Sequence, residues 1–486
     1  MSGTEVPVDP RRWKALVVIC LAQLMIVLDS TILNIALPSA QRELGFGDSS
    51  RQWTITAYAL TFGGFLLLGG RIGDRWGRRP VFITAAAGFA AASALGGLAV
   101  NTGMLLGARA LQGVFAALLA PAVLSLIALT FTETRERAKA FGVMGAMAGS
   151  GGAIGLLLGG LLTQYWGWRW TLLVNIAFAV VAVVGALAYI TDRSTATARA
   201  ARLDLPGAVL ATGGLAALVF GFTRAEQNGW SSAGALGLFA LALVLLIVFV
   251  LVEQRVKAPL LPLRVVLDRN RGGAYLAMLL SVAGMFAMFL FITFYLQVVK
   301  GFSPLQTGLA FLPMSVATVA GSTQIGARLA PRLPARSLMA PALLVAAAGM
   351  AVLAQITPHT SYAAVVLPGM LLLGLGLGTA FTTVFGLVTA GVDPQDTGVA
   401  SALVNTSQQI GGAIGTALLN TIATSSTASY LSGHPGARTA GMAHGFATAT
   451  WAGAAILTAS ALLVMALINH RPAPAPEPAR TPQPTR

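Results

Sequence analysis

Charge is scarce in this sequence. Of its 486 residues only 10% are charged and only 16 are acidic, against about a quarter charged in an ordinary soluble domain. Hydrophobic residues make up 56% and the mean hydropathy is +0.77. No soluble core could hide that much apolar sequence, so a water-soluble globular protein is excluded. A single cysteine, Cys20, excludes an intramolecular disulfide and leaves the redox compartment unreadable. The four histidines, His359, His434, His444 and His470, fall in loops, near span ends or in the tail and form no metal cluster. No Gly-Lys-Ser/Thr phosphate cradle is present, which argues against ATP drive and leaves an ion gradient as the energy source. Clustered His, Asp or Glu at a membrane face are also lacking, which argues against a membrane enzyme. Nor is there a cleavable signal: Arg11, Arg12 and Lys14 precede an apolar stretch of roughly two dozen residues, too long for a signal peptide.

What is present is a series of long apolar runs. About fourteen can be marked between 15–38 and 446–469, each near the roughly 20 residues that a bilayer core requires. They do not alternate apolar with polar residues as barrel strands do, and lipid admits only helices and closed barrels. The fold class is therefore an all-α polytopic membrane protein of about 14 transmembrane helices. The net charge of +15 invites a nucleic-acid partner until the 31 Lys and Arg are sorted by loop. Alternate loops and both tails hold about 24 of them, the remaining loops about six, and one lies inside a span. This bias predicts a multi-pass protein of the plasma membrane with both termini cytoplasmic, and it makes the basicity a matter of topology rather than nucleic-acid binding. The Pro-rich stretch 470–486 is expected to be disordered.

The segment from Gly70 to Pro80 packs one acid, four arginines and three glycines into eleven residues between two spans. Arg71–Arg79 lies without a gap over Arg328–Arg336. Three of the four arginines coincide, and Asp74 falls on Pro331. The five-mer Gly151–Gly155 recurs as Gly411–Gly415. Both offsets are about 260 residues, which argues for duplication. The expected organisation is an N-terminal tail 1–14, a six-helix half 15–191, a linker 192–271 carrying two extra transmembrane helices, a second six-helix half 272–469, and the tail 470–486. Two such halves suit a rocking transporter with its site at the midplane between them.

These motifs carry a resemblance that covers nearly the whole chain. The 70–80 segment resembles the signature between the second and third spans of the major facilitator superfamily. Arg109-Ala110-Leu111-Gln112-Gly113 is similar to the family's fourth-span motif. Gly142, Gly151, Gly155, Gly159 and Gly160 have the spacing of its fifth-span antiporter motif, although Leu156 stands where that motif has proline. Leu28 to Pro38 is similar to the first-span motif of the fourteen-span drug:proton antiporter branch. The resemblance implies two six-helix bundles with two inserted helices. It also implies proton-coupled export of hydrophobic or amphipathic drugs by alternating access, without a cofactor and as a monomer.

Asp29 is the one carboxylate placed well inside a span, roughly 13 Å below its outer end at 1.5 Å per residue. A charge there costs about 2.5 kcal/mol or more unless it faces protein or water. Withdrawal from water disfavours the charged form of a carboxylate, which suits a proton or cation site; a structural acid fixing the first span is the other reading. Arg109, the one arginine inside a span, lies roughly 9 Å from the same surface, so the two lone charges are expected to communicate, directly or through water. Direct contact would oppose protonation of Asp29, so the pair is expected to make and break during transport. Gln23, Ser30 and Asn34 lie within roughly 40° of one another on span one. Together with Gln112 they are candidates for cavity lining; the three on span one could instead serve interhelical hydrogen bonding. A single membrane acid argues against strongly dicationic substrates.

In the basic segment, Gly73 and Gly77 permit a sharp turn. Asp74 could cap the next helix or pair with a basic partner across the halves, while Arg75, Arg78 and Arg79 anchor the cytoplasmic face. Arginines alone would serve for topology, whereas an acid at fixed spacing between glycines points to a gate. Phe286, Phe289, Phe294, Tyr295, Phe381 and Phe385 either wall a site for a hydrophobic substrate or face lipid. The functional expectation is a proton-coupled drug exporter. An exporter of an endogenous metabolite, lipid or self-made antibiotic is the alternative, and a transporter-like sensor or scaffold is the rival of another class.

Overall fold

The computed structural model describes residues 11–46, 48–190, 204–256, 259, 261–393 and 396–469. The tail 470–486 and most of the tail 1–14 thus lie outside the described residues. Among those described, every regular element is helical. The first set is α1 (Arg12–Leu44), α2 (Asp48–Trp76), α3 (Arg78–Gly97), α4 (Thr102–Thr130), α5 (Thr134–Tyr165) and α6 (Trp170–Tyr189). A hairpin follows, α7 (Leu205–Asn228) and α8 (Ala233–Glu253). The second set is α9 (Leu263–Leu267), α10 (Arg269–Phe294), α11 (Pro304–Ala320), α12 (Ala327–Leu329), α13 (Ala335–Leu353), α14 (Leu367–Thr389), α15 (Thr397–Gly433) and α16 (Arg438–Leu467), with π-helical turns at Tyr295–Val299, Gly321–Gly326 and Tyr362–Val366. Among the described residues, eleven helices are long and apolar enough to cross a membrane. The more glycine-rich or polar α5, α10 and α15 are also long, at 32, 26 and 37 residues.

Local chemistry sets the helix ends. The side chains of Asn101, Asp204, Ser232, Asp268 and Ser303 each accept from a backbone N–H in the first turn of the helix that follows, meeting donors that the helix itself cannot satisfy. Between α2 and α3 the expected loop is almost absent. Helix α2 continues through the basic segment to Trp76, and Gly77 alone makes the break at φ +92°. Gly73, expected to share in the turn, lies inside α2 with helical neighbours. The only position here that needs a left-handed backbone is 77.

The two sets pack by one plan. Helix α1 lies against α5 and α6, α2 against α4, and α3 against α4 and α6. In the second set α10 lies against α15 and α16, α11 against α14, and α13 against α14 and α16. The sets meet where α2 and α4 touch α15 and where α5 touches α11 and α14. The α7–α8 hairpin straddles that seam: α7 contacts both α2 and α15, through a cluster that includes Leu67, Ala211, Leu215 and Val399. Helix α8 turns Leu241, Leu243, Val244, Ile247 and Leu251 outward, a contiguous apolar surface suited to hydrocarbon rather than water.

Without water between helices, close packing must supply the attraction, and glycines supply the closeness. A Cβ on Gly151 would stand 2.6 Å from Val27 Cγ1, one on Gly155 would strike Thr31 Oγ1, and one on Gly159 would stand 2.8 Å from the Ile32 carbonyl oxygen. The strip therefore seats α5 on α1. Gly411 and Gly415 seat α15 on α10, against the carbonyls of Leu279 and Ala283. Two glycines of the motif do not belong to the strip. Gly142 faces Ala327 in the second set, with a would-be Cβ 2.7 Å from its Cβ, and Gly160 faces open space. The reason is helical phase: nine residues from Gly142 to Gly151 rotate the chain by about half a turn. Gly155→Leu and Gly415→Leu should each destabilise the fold by about 1–3 kcal/mol through overpacking. Gly160→Leu should be neutral in the same thermal-unfolding assay in detergent.

Candidate functional site

Five helices of the first set converge on one polar cluster. Asp29 (α1) is fully buried, as are Ser93 (α3), Gln112 (α4) and Asn175 (α6), and Arg109 (α4) is 2% exposed. Arg109 Nη1 lies 2.6 Å from Asp29 Oδ2. Asp29 Oδ1 accepts from Gln112 Nε2 at 2.9 Å and from Asn175 Nδ2 at 2.8 Å. Gln112 Nε2 also donates to Ser93 Oγ at 2.8 Å, and its Oε1 accepts from Arg109 Nη1 at 2.8 Å. Arg109 Nε donates to the Thr54 carbonyl on α2 at 3.3 Å, and the guanidinium lies 4.4 Å from the Tyr58 ring centroid. Arg109 and Gln112 reach the same acid because residues three apart share a helix face. Arg109 thus bonds an acid and a backbone carbonyl with one side chain.

Gln112 requires a correction. It does not line a cavity but lies at the centre of the buried cluster, because its carboxamide bonds Asp29, Ser93 and Arg109 at once. Gln23 is buried, with Oε1 lacking a hydrogen-bond partner. Ser30 is exposed and returns its hydroxyl to the Val27 carbonyl at 2.7 Å. The side chains of Asn34, Leu156, Phe286 and Phe294 lie outside the described residues. The remaining aromatics face protein: Phe289 stacks on Phe311 of α11 at 5.5 Å, Phe381 and Phe385 are buried, and Tyr295 donates to the Thr357 carbonyl at 2.8 Å.

A second constellation joins the two sets at the arginine-rich end. Asp74 Oδ1 accepts from Arg78 Nη2 at 2.6 Å and from the backbone N–H of Gly398 at 3.1 Å. Across the halves Asp74 thus meets a backbone amide at the start of α15, where the helix dipole favours an anion, rather than a basic side chain. The basic partner comes from the same set. Asp74 Oδ2 is buried without a hydrogen-bond partner. Arg71 completes the joint. It lies 3.4 Å from Asp396 Oδ1, just before α15, and its Nε donates at 3.0 Å to the Pro259 carbonyl in the segment after α8. Arg264 reaches the other Asp396 oxygen at 2.7 Å. Gly70 and Gly398 allow this contact, since a Cβ on Gly70 would stand 2.7 Å from the Gly398 carbonyl oxygen. Arg79 anchors instead to the end of α6, donating to the Leu187 carbonyl at 2.9 Å. Arg75 is half-buried at the rim.

At the opposite end, Glu43 clasps α1 to the α5–α6 turn. It accepts from Trp168 Nε1 at 2.7 Å and from Arg169, which also donates to the Ala99 carbonyl. The hydrogen bond from Arg169, followed by that from Trp168, holds the Glu43 carboxyl below its usual range.

Asn175, Ser93, Tyr58 and Asp396 were not evident from sequence motifs. Asn175 alone left a signal, as the one amide in the otherwise apolar run from Leu172 to Tyr189. A lone amide in such a run must find a partner inside the bundle.

The family model of the Major Facilitator Superfamily matches residues 19–416. The chain is 51% identical over 468 residues to the puromycin resistance protein pur8 of Streptomyces alboniger, covering 95% of this chain and 92% of that one. It is 38% identical over 414 residues to the cephamycin export protein CmcT of Amycolatopsis lactamdurans, covering 85% of each. The human organic anion transporter MFSD10 (TETRAN) superposes with a TM-score of 0.67 over 94% of this chain and all of that one, at 16% identity.

Removing one partner of a buried pair leaves the other uncompensated, so Arg109→Ala should cost about 3–5 kcal/mol, read as a fall in thermal stability in detergent. A neutral result would show that the cluster is solvated. Glu43 has a depressed carboxyl, so its clasp is fully present above the ordinary carboxylate range and is lost as pH falls through that range and below it. Wild type should therefore be more stable than Glu43→Gln at neutral pH, and the difference should vanish in acid.

Proposed function

Because the chain belongs to the major facilitator superfamily, we propose that it is a proton-coupled exporter of hydrophobic or amphipathic antibiotics and related toxic compounds. It would work by alternating access in the plasma membrane, as a monomer, with the arginine-rich end and both termini in the cytoplasm. The observation that carries the proposal is the Asp29–Arg109 pair, a titratable charge fully withdrawn from water inside a transporter fold. Asp29 cannot be protonated and remain the counter-ion of Arg109. Proton arrival therefore releases the arginine to Gln112 and the Thr54 carbonyl, and proton departure restores the pair. Each event changes what ties α1 to α4 and α6, which is how one proton can bias the set of helices that must tilt.

The joint of Asp74 and Arg71 with α15 holds the two sets together at the arginine-rich end, and opening to the cytoplasm requires that it part. Family membership argues for a transporter rather than a sensor or an enzyme. The names of the two bacterial relatives, puromycin resistance and cephamycin export, favour antibiotics as substrates, whether encountered or self-made.

Proton flux driven by substrate, measured in vesicles carrying a pH gradient across a panel that includes puromycin, tests the proposal. Asp29→Asn should abolish coupled flux while the protein stays folded, and retained proton-driven efflux would refute the assignment. Asp74→Ala should lower the transport rate without changing membrane orientation; normal transport would show that the joint is not a gate.

A further inference from the structure

The two sets of helices meet differently at their arginine-rich ends. On one side the α2–α3 segment sets the Asp74 carboxylate on the start of α15. The equivalent place on the other side lies between the α12–α13 segment and the start of α5. There the gap-free overlay puts Pro331 where the acid would be. In place of a carboxylate the structure has a cavity of about 240 Å³, lined among others by Pro331, Thr134, Arg137, Phe141, Gly386 and Leu387. Arg137 Nη2 donates to the Thr389 carbonyl at 2.5 Å, while its Nε is buried without a hydrogen-bond partner. The adjacent acid, Glu136, pairs through Oε1 with Arg12 at 2.6 Å while its Oε2 is buried without a hydrogen-bond partner, and no described carboxylate forms an ion pair with Arg137. A Cβ on Gly386 would meet nothing within 4 Å, so the cavity extends to the face of α14. Arg135, Lys139, Arg328, Arg332 and Arg336 are all exposed next to the lining residues in sequence.

We propose that this cavity binds the phosphodiester headgroup of an anionic phospholipid from the leaflet at the arginine-rich end, which rests on the orientation proposed above. Its phosphate takes the place of the acid missing at Pro331 and pairs with the guanidinium of Arg137, which lines the cavity and whose planar fork suits phosphate oxygens. Phe141 and Leu387 receive the glycerol and the first methylenes, and the exposed arginines draw anionic lipid to the mouth. The bound lipid ties α5 to α14 and the α12–α13 segment, as Asp74 ties α2 to α15. It therefore favours the state in which this end is closed.

Native mass spectrometry of purified protein in micelles with equal phosphatidylglycerol and phosphatidylcholine tests the site without requiring transport. Wild type should retain phosphatidylglycerol preferentially, and Arg137→Gln should weaken that retention about tenfold, the usual worth of a hydrogen bond to a charged group. Gly386→Leu, which fills the cavity and keeps the charge, should also lower retention. Pro331→Asp, which restores an internal carboxylate, should displace the lipid and decides the question even if Arg137→Gln does not fold. Equal retention by wild type and Arg137→Gln or Pro331→Asp would overturn the proposal. So would displacement of the lipid by inorganic phosphate alone, which would make the site one for soluble anions.

Discussion

The ion pair of Asp29 with Arg109 governs how the first set of helices is built. Two charges taken out of water lose several kcal/mol of hydration each, and their mutual attraction offsets this only when the remaining lone pairs and N–H groups are also bonded. That requirement explains why α1, α3, α4 and α6 each contribute one or more polar side chains to one small volume, and why α2 contributes a carbonyl and an aromatic face. Asn175 and Gln112 occupy the second carboxylate oxygen, and Thr54 takes the guanidinium Nε. Both Asp29 oxygens are bonded in this way, which holds the helices tightly while the pair is charged, although Asn175 Oδ1 and Tyr58 Oη stay without partners. Any change in its bonding is therefore felt by all five helices that meet there.

The same economy appears at the contact between the sets. Hydrocarbon provides no hydrophobic attraction between helices, so contact must come from backbone approaching backbone and from a few directed polar bonds. Gly70 against Gly398 supplies the first, and Asp74 on the α15 amide with Arg71 on Asp396 supplies the second. The segment after α8 enters this joint through Pro259 and Arg264. The α7–α8 hairpin is thus tied to the contact between the sets through the segment that follows it. The packing plan is repeated in the two sets but the chemistry of the joint is not: an acid stands on one side and a proline with a cavity on the other.

Much of the helical architecture was legible because a bilayer leaves few choices. Long apolar runs with little charge can only be helices, and arginine counts by loop give a consistent order of crossings. The candidate site was legible in part. Asp29 and Arg109 stand out as lone charges in apolar runs, and helical rise places them at one depth. Gln112 lies in the buried cluster rather than on a cavity wall, because a motif fixes a position along a helix but not which neighbours the side chain meets. Asp74 was identified as more than an anchor, but its partner, a backbone N–H of Gly398, has no side-chain signature at all. Gly142 and Gly160 share a motif with Gly151, Gly155 and Gly159, yet helical phase turns the first away from α1, and the last meets nothing.

The sequence by itself determined that this chain is an all-helical membrane protein with a few isolated polar positions, because the cost of burying charge and unpaired backbone in hydrocarbon admits no other class. Only the tertiary structure decided which of those positions touch. Asp29 meets Arg109, Gln112 and Asn175 because three helices distant in sequence cross at one level. Asp74 meets the start of α15 because two glycines let the backbones close. Contacts of this kind depend on rotations and crossings of helices relative to one another, which are set by the sum of many small packing contacts spread along the whole chain and are not encoded in any short segment.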